Sequence, residues 1–579
     1  MKTNPLNISK IFKSERKQKI LVIIESFSLS EKITFYFAVI VFAGSALYLL
    51  VKVNDAFSVQ VPVDGGEIRE GVIGYPRYIN PLISVTDTGK DLSGLIYSGL
   101  LKNNDEGKLV PDLAKDYKIS EDGQTYTVNL KDNIFFHDGV PVTTYDIEFT
   151  VKKAVDPILK SPKAANWEGV SVKVISPKTI EFVLKAPYSP FLQNLTLGIL
   201  PKHIWEKIDS DAFVFSNFDL EPTGSGPFMI KNVKRDGTGL PIYYHLVPFA
   251  KYALGKPHID DLYVYFYTNE DSLISAFIKG EVTNINSISP ANINKIEKDK
   301  IVAQVPLPRT FALFLNQNQA RVLANKEVRD ALNLAIDRDS IVDEVLSGYG
   351  TKLIGPLGPN ISKLRDTDMK AEDRVSGAIK ILQNAGWVLG DDGVMNKVVK
   401  KETQTLTFAI TTSNSPDLKK TALILQKTWA KIGAKVDVKI FDLADLQQNA
   451  IKNRKYDSLL FGIVIDRDLD IFSFWHSSER NSPGLNISMY TNANVDKLLE
   501  KIRLENDTEK KLGLLKSVED NIVSDSPAIF LYAPDFIYVV PKNLRGLSLG
   551  NLTSSSERFA GIEKWYIKTE KVWQIFKSN

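Results

Sequence analysis

One stretch near the start of the chain is apolar without interruption. It begins at Ile33 and ends at Val51, contains no charged residue, and is bounded by Lys32 and Lys52. A helix rises about 1.5 Å per residue, so this stretch would extend about 28 Å, close to the thickness of a bilayer's hydrocarbon core. The pattern predicts a single transmembrane helix over residues 33–51, since no other stretch approaches this apolar length.

The charges that flank this stretch predict its orientation. Between residues 52 and 76 the only basic residues are Lys52 and Arg69. Before the stretch there are seven, namely Lys2, Lys10, Lys13, Arg16, Lys17, Lys19 and Lys32. Because basic residues concentrate on the cytoplasmic side of a span, we predict a cytoplasmic segment at 1–32. The helix would anchor the chain in the cell membrane, with the remaining residues extracytoplasmic.

A cleaved signal peptide is the alternative. Small residues suited to cleavage occur at Ala43, Gly44, Ser45 and Ala46. The apolar run continues past them to Val51, however, and the preceding segment is long for a signal sequence. We therefore favour an uncleaved anchor.

Beyond residue 51 short strand and helix patterns follow one another. Thr125–Leu130 and Lys435–Phe441 have strand patterns. Thr143 and Asp146 have the spacing of a capping box for a helix that ends before Pro157. Helical spacing of apolar residues recurs in three more places: Val328, Leu332 and Ala335 after Asn325; Leu418, Ala422, Leu425, Trp429 and Ile432 before Gly433; and Val495, Leu498, Leu499 and Ile502. Interspersed strands and helices predict a mixed α/β protein.

Composition narrows the class of protein. The 579 residues carry a formal net charge of only +3, which argues against a nucleic-acid partner. There is no cysteine, so disulfides, thiol catalysis and thiolate metal sites are excluded. The five histidines are far apart, and the motifs G-x-S-x-G, H-E-x-x-H and the phosphate loop ending in G-K-[ST] do not occur. We expect no enzyme activity and no cofactor.

Residues 109–149 read LVPDLAKDYKISEDGQTYTVNLKDNIFFHDGVPVTTYDIEF. This run resembles the signature region of the family 5 extracellular solute-binding proteins, the peptide-, dipeptide- and nickel-binding components of ABC importers, with Tyr117 where Trp is common. Further matching pieces follow in family order: INPL at 79–82, LPKH at 200–203, GSGPF at 224–228, VRDAL at 328–332, AIDR at 335–338 and AGW at 385–387. The resemblance covers about residues 65–570.

The resemblance implies a two-lobed periplasmic-binding-protein fold, in which two crossover strands join two α/β lobes around the ligand. Residues 52–66 would be a linker. Lobe I would comprise 67–308, with an extra subdomain at about 98–222, and the chain would return to it at 527–579. Lobe II would comprise 309–526. The crossovers would lie near 309–316 and 528–532.

Three residues near 470 are candidate ligand contacts by resemblance. Asp466 matches the aspartate that pairs with the α-ammonium of a bound peptide in relatives, although Ile463 and Leu469 depart from the family pattern around it. Trp475 matches a tryptophan that would line the cleft. Arg467 would face a ligand carboxylate. Each has a plain alternative: a structural loop aspartate, a tryptophan in the lobe II core, and an arginine solvated between two aspartates.

The function implied is capture of oligopeptides by hinge closure and delivery to an ABC permease with separate ATPases, by a monomer held in the membrane. A nickel chelate, an oligosaccharide or another solute is the alternative ligand. A sensor or chaperone that signals, rather than feeding a transporter, is the alternative role. The calcium-loop spacing of Asp466, Asp468 and Asp470 lacks the expected glycine and final acid, so we predict no metal site.

Overall fold

A computed structural model describes residues 22–23, 26–296, 300–359, 361–362, 369–465, 467, 469–505 and 507–576. They form two compact units. The first unit contains the chain up to Val63 and the chain from Lys568 onward, and the second is Asp64–Ile567.

The α-helices of the described residues are α1 (Leu29–Phe57), α2 (Asp87–Ile96), α3 (Thr144–Ala154), α4 (Ala164–Trp167), α5 (Phe191–Asn194), α6 (Lys202–Trp205), α7 (Glu270–Ile278), α8 (Lys326–Leu334), α9 (Arg338–Leu346), α10 (Ala371–Asn384), α11 (Pro416–Ala430), α12 (Leu443–Asp445), α13 (Phe472–Trp475), α14 (Ala493–Leu504) and α15 (Thr508–Asp525).

The strands are β1 (Ser58–Val63), β2 (Glu67–Ile73), β3 (Leu101–Asn103), β4 (Leu109–Pro111), β5 (Ala114–Ile119), β6 (Thr125–Leu130), β7 (Ser171–Ser176), β8 (Thr179–Val183), β9 (Phe228–Arg235), β10 (Pro241–Pro248), β11 (Asp261–Tyr267), β12 (Asn284–Asn286), β13 (Lys300–Pro306), β14 (Arg309–Leu315), β15 (Gly350–Lys352), β16 (Val388–Leu389), β17 (Met395–Val399), β18 (Glu402–Thr405), β19 (Thr407–Ser413), β20 (Lys435–Phe441), β21 (Ser458–Val464), β22 (Ala528–Pro541) and β23 (Lys568–Trp573).

The first unit contains the predicted apolar helix. α1 extends beyond residues 33–51 at both ends, and none of its residues is buried. Among the described residues it is the one helix long and apolar enough to cross a membrane. β1 follows α1 directly and pairs antiparallel with β23. The expected linker at 52–66 contains β1, and the expected return to lobe I at 527–579 contains β23, so this ladder gives part of each segment a backbone partner. Both bounds stay predictions.

The second unit is built on a twelve-stranded mixed sheet. Its order is β20-β19-β21-β14-β22-β12-β2-β11-β10-β9, and β13 and β15 also pair with β22. A separate antiparallel sheet has the order β5-β6-β8-β7, and smaller sheets are formed by β16-β17-β18 and β3-β4.

The hydrophobic cores of this unit fall into two groups, which define two lobes. Lobe I packs around one cluster that contains Leu92 and Trp565 and another that contains Leu273. Lobe II packs around one cluster that contains Trp429 and another that contains Trp475. β22 belongs to both lobes, because residues from its first half lie in the lobe II cores and residues from its second half in the lobe I cores. The predicted α/β, two-lobed architecture is confirmed.

Local sequence patterns are also confirmed where the structure describes them. β6 and β20 have the bounds that their patterns predicted. α3 starts after Thr143, which forms the predicted capping box with Asp146. α11 ends shortly before Gly433, whose φ of +78° favours glycine. Asn325 precedes α8, but its side chain donates to the carbonyl of Val322 instead of capping the helix.

Candidate functional site

Two segments cross from one lobe to the other side by side. One is β22, and the other is the short connection at 307–308 between β13 and β14. The Leu307 amide donates to the Pro534 carbonyl at 3.0 Å and joins the two segments. Pro308 and Pro534 have no amide hydrogen, so at these positions the sheet can bend without losing a ladder hydrogen bond. This geometry permits the lobes to hinge about the crossing.

β21 ends at the same crossing, and a loop follows it there. Val464, its last residue, lies opposite Arg309 in the ladder with β14. The next amide, that of Ile465, donates to the Pro308 carbonyl at 2.9 Å. Gly462 lies beneath the ring of Phe311, where a Cβ would come within 2.7 Å of a ring carbon, so a larger side chain would force the ring to move. The loop after Val464 therefore starts at the hinge.

The end of β21 has one unpaired edge. β14 pairs with the whole of β21, whereas β19 pairs only with Ser458 and Leu459. In the described part of the chain no strand pairs with the β19 side of residues 461–464. A free strand edge can take up an extended peptide by main-chain hydrogen bonds. The edge opens beside the hinge, where the lobes face each other.

Arg467 connects this loop to lobe I. Its guanidinium pairs with Glu557 at 2.7 Å and donates to the carbonyl of Gly107 at 3.3 Å. It also donates to the carbonyl of Asn551. Glu557 is held in turn by Thr553, whose amide and hydroxyl donate to it at 2.6 and 2.7 Å. The arginine that we expected to face a ligand carboxylate thus makes an ion pair between the lobes, and its role in ligand binding stays a prediction.

Two of the three loop aspartates, Asp466 and Asp468, lie outside the described residues, so the ammonium anchor at Asp466 stays a prediction. Asp470 is described, and its carboxylate pairs with Arg503 at 2.8 Å while accepting from the Phe472 amide at 3.2 Å. Within the described residues no group of three or more acidic or histidine side chains is placed to hold a metal ion.

Trp475 lies inside lobe II. Its relative exposure is 0%, and its ring centroid is 5.9 Å from that of Phe530 and 6.2 Å from that of Phe314. Its indole nitrogen has no hydrogen-bond partner among the described residues. Trp475 therefore packs as a core residue in this structure, and a direct ligand contact stays a prediction.

Two polar residues at the crossing, Arg309 and Asp535, were not predicted as candidate site residues. Arg309 follows Pro308 and Asp535 follows Pro534, each in an otherwise apolar strand. Within the described residues, Nε of Arg309 and Oδ1 of Asp535 are buried without a hydrogen-bond partner. Burial raises the pKa of Asp535 above its usual range. In the sequence, a charged residue directly after a proline within an apolar run is the signal that could have identified them. Both groups are suited to bind polar atoms of a ligand or water.

Beside the inter-lobe pair, lobe I contains a fully buried charge cluster. Arg558, the neighbour of Glu557, is completely buried and pairs with Glu70 at 2.9 Å and Asp91 at 2.6 Å. Tyr538 donates to Glu70 at 2.7 Å. Burial raises the pKa of both carboxyl groups, and Arg558 opposes the rise. The cluster joins β2, α2, β22 and the turn at Ser555–Phe559.

A family profile matches most of this unit. The profile described as "Bacterial extracellular solute-binding proteins, family 5 Middle" matches residues 108–483. The oligopeptide-binding protein AppA of Bacillus subtilis is 28% identical over 517 residues, which cover 87% of this chain and 92% of that protein.

Solved structures agree with this relationship. The structure of Bacillus subtilis AppA in complex with a nonapeptide has a TM-score of 0.66 at 26% identity, covering 88% of this chain and 100% of that chain. NikZ from Campylobacter jejuni in complex with Ni(L-His) has a TM-score of 0.66 at 27% identity, covering 86% of this chain and 99% of that chain.

Proposed function

Because the chain belongs to the bacterial extracellular solute-binding proteins of family 5, we propose that it captures oligopeptides outside the cytoplasm and delivers them to the permease of an ABC importer. It acts as a binding protein and not as an enzyme. The similarity to an oligopeptide-binding protein solved with a nonapeptide supports peptides as the ligand class.

The unpaired edge of β21 is the observation that carries this proposal. Residues 461–464 offer backbone donors and acceptors beside the hinge, and the loop that contains Asp466 follows them. Main-chain pairing is indifferent to side-chain identity, so such an edge suits peptides of varied sequence. Water between the lobes would accommodate their side chains.

Charged groups would orient the peptide on this edge. In our proposal Asp466 binds the α-ammonium, because a carboxylate in a closed cleft of low dielectric holds a cation well. Arg467 contributes from the next position through its contacts with lobe I. Trp475 supports the site from within the core of lobe II.

Closure would occur by rotation of lobe I, residues 67–308 with the return at 527–579, against lobe II, residues 309–526. The two crossings with their prolines would absorb the change in backbone angles. Lobe I would include the extra subdomain at about 98–222.

Transport would require partners. The apolar stretch from Ile33 to Val51 would anchor a monomer in the cell membrane with 1–32 in the cytoplasm. The sequence has no phosphate-loop motif, so the energy would come from separate ATPases bound to the permease.

Ligand capture can be tested on the purified chain in detergent. It would be incubated with a peptide pool, and retained ligands identified by native mass spectrometry. We expect peptides to be retained and small-angle scattering to show a smaller radius of gyration in their presence. Retention of no peptide, together with an unchanged scattering profile, would contradict the proposal.

A nickel chelate is the second candidate, supported by the similarity to a protein solved with Ni(L-His). Adding nickel with histidine to the same protein would distinguish the two. Stoichiometric nickel after gel filtration, with no peptide retained, would favour the chelate.

A further inference from the structure

β23 lies against the last turn of α1 in the first unit. The indole nitrogen of Trp573 donates to Oδ1 of Asn54 at 2.7 Å. Lys571 pairs with Asp55, also at 2.7 Å. These two contacts, together with the ladder to β1, hold the strand to the end of the apolar helix.

The contact lies at a defined height above the apolar stretch. Asn54 comes three residues after Val51, which corresponds to about 4.5 Å along a helix axis. The headgroup region on each side of a bilayer is about 5–7 Å thick. If residues 33–51 fill the hydrocarbon core, the indole of Trp573 lies at the depth of the headgroups.

Several side chains near this contact are apolar and exposed. Trp573 is 44% exposed, Phe57 is 58% exposed, and Ile575, in the turn Gln574–Phe576, is 77% exposed. Tryptophan is enriched at membrane interfaces because its ring is apolar while its N–H needs a polar partner. Here Asn54 supplies that partner, which leaves the ring face available to lipid.

We propose that β23 and the turn Gln574–Phe576 form a second membrane contact, in which Trp573 and Ile575 insert into the outer headgroup layer of the phospholipid bilayer. The contact rests on the proposed membrane anchor, because the helix sets the height of the strand. It extends the anchor from one helix to a helix with an interfacial strand docked against it.

The tryptophans of this chain make the contact measurable. Of the seven, Trp573 is 44% exposed, whereas the other six are at most 3% exposed: Trp167, Trp205, Trp387, Trp429, Trp475 and Trp565. Quenchers attached to lipids act at short range, so they would reach Trp573 and spare the buried rings. The full chain would be reconstituted into vesicles of phosphatidylcholine and phosphatidylglycerol, with a fraction of the phosphatidylcholine brominated.

We expect quenching of roughly one tryptophan's share of the emission, stronger with bromine near the carbonyl end of the acyl chains than near their tips. Trp573→Phe should abolish the quenching. Trp167→Phe, which also removes one tryptophan, should retain it.

An alkaline carbonate wash separates the two proposals. If the chain stays with the vesicles and wild type shows no quenching beyond that of Trp573→Phe, the interfacial contact is refuted and the anchor stands. If the wash releases the chain, the anchor is refuted and the contact with it.

Discussion

Glu557 and Arg558 are neighbours in the chain, yet their ion pairs lie in opposite settings. Arg558 is enclosed in lobe I with Glu70 and Asp91, and its side chain has no exposed surface. Glu557 pairs with Arg467 between the lobes, and the two side chains keep 21% and 14% of their exposure.

The difference in burial gives the two sets of ion pairs different roles. Charges that are fully buried cannot part without leaving an uncompensated charge, so such a cluster fixes the elements that it joins. A partly exposed pair is readily hydrated when it opens, so it costs little to break. The buried cluster around Arg558 thus holds lobe I together. The pair between Arg467 and Glu557 is free to open and close if the lobes move.

Breaking the buried cluster should have the largest effect. Arg558→Met keeps much of the side-chain volume but leaves Glu70 and Asp91 without their cation. We expect the free energy of unfolding to fall by about 3–5 kcal/mol, as measured by urea denaturation.

Arg235 offers a matched control, because it pairs with Glu221 at 3.0 Å at the surface. Arg235→Met should cost less than about 1 kcal/mol. Equal losses for Arg558→Met and Arg235→Met would show that burial does not distinguish the two pairs.

The proposed pair between Asp466 and the α-ammonium of a peptide would be a second case of an enclosed charge, this time in the ligand site. Asp466→Asn keeps the shape of the side chain and removes the charge, so an enclosed α-ammonium would lose its counter-charge. We expect affinity for free peptides to fall by about 3–5 kcal/mol, roughly a few hundred- to several thousand-fold in Kd, as measured by calorimetry.

N-acetylated peptides supply the second arm of a double-mutant cycle. They should bind the wild type weakly, and Asp466→Asn should discriminate little between the two kinds of peptide. If wild type binds acetylated and free peptides alike, Asp466 is not the ammonium anchor.

In the described part of the chain, Asp219 is a buried carboxylate without a neighbouring cation. Comparing it with Glu70 and Asp91 shows what Arg558 contributes to those two. Asp219 is 2% exposed and accepts from Asn80 at 2.9 Å, while its Oδ2 has no partner among the described residues. Burial raises the pKa of Asp219 to about 7. Between about pH 4 and pH 7 the native state therefore holds a proton that the unfolded chain has released. The stability that this proton contributes is full below about pH 4 and is lost as the pH rises through about 7.

Asp219→Asn removes this titration and should stabilise the protein by about 1–3 kcal/mol at pH 8, with little effect at pH 4. Thermal unfolding at the two pH values measures the difference. An equal effect at both would show that Asp219 does not titrate across this range.

Breaking the pair between the lobes should have the smallest effect. Arg467→Met should change the free energy of unfolding by less than about 1 kcal/mol. If the pair helps to hold the closed form, peptide affinity should fall about three- to tenfold. The double variant Arg467→Glu with Glu557→Arg should recover part of that affinity; no recovery would show that the charges do not act as a pair.

Local structure was predictable because it depends on residues close in sequence. The signals for the capping box at Thr143 and for the strand Lys435–Phe441 lie within those segments themselves. The family, and with it the two-lobed fold, followed from the run at 109–149.

Long-range partners were not predictable from one sequence. Arg558 reads as an ordinary charge in SSSERFAG, and its partners lie 488 and 467 positions away. The same holds for the ladder between β1 and β23. Of the candidate site, the sequence located the loop near Asp466 by resemblance, but nothing in it indicated that Arg467 would pair across the lobes with Glu557.

The position of β22 has a consequence for how the protein is made. β12, β13, β14 and β15 all pair with this strand, and it lies at Ala528–Pro541, after every other strand of the large sheet. Neither lobe can complete its sheet until this part of the chain has been synthesised. A growing chain therefore lacks a finished lobe for most of its synthesis, and the two lobes complete their folding late and close together in time.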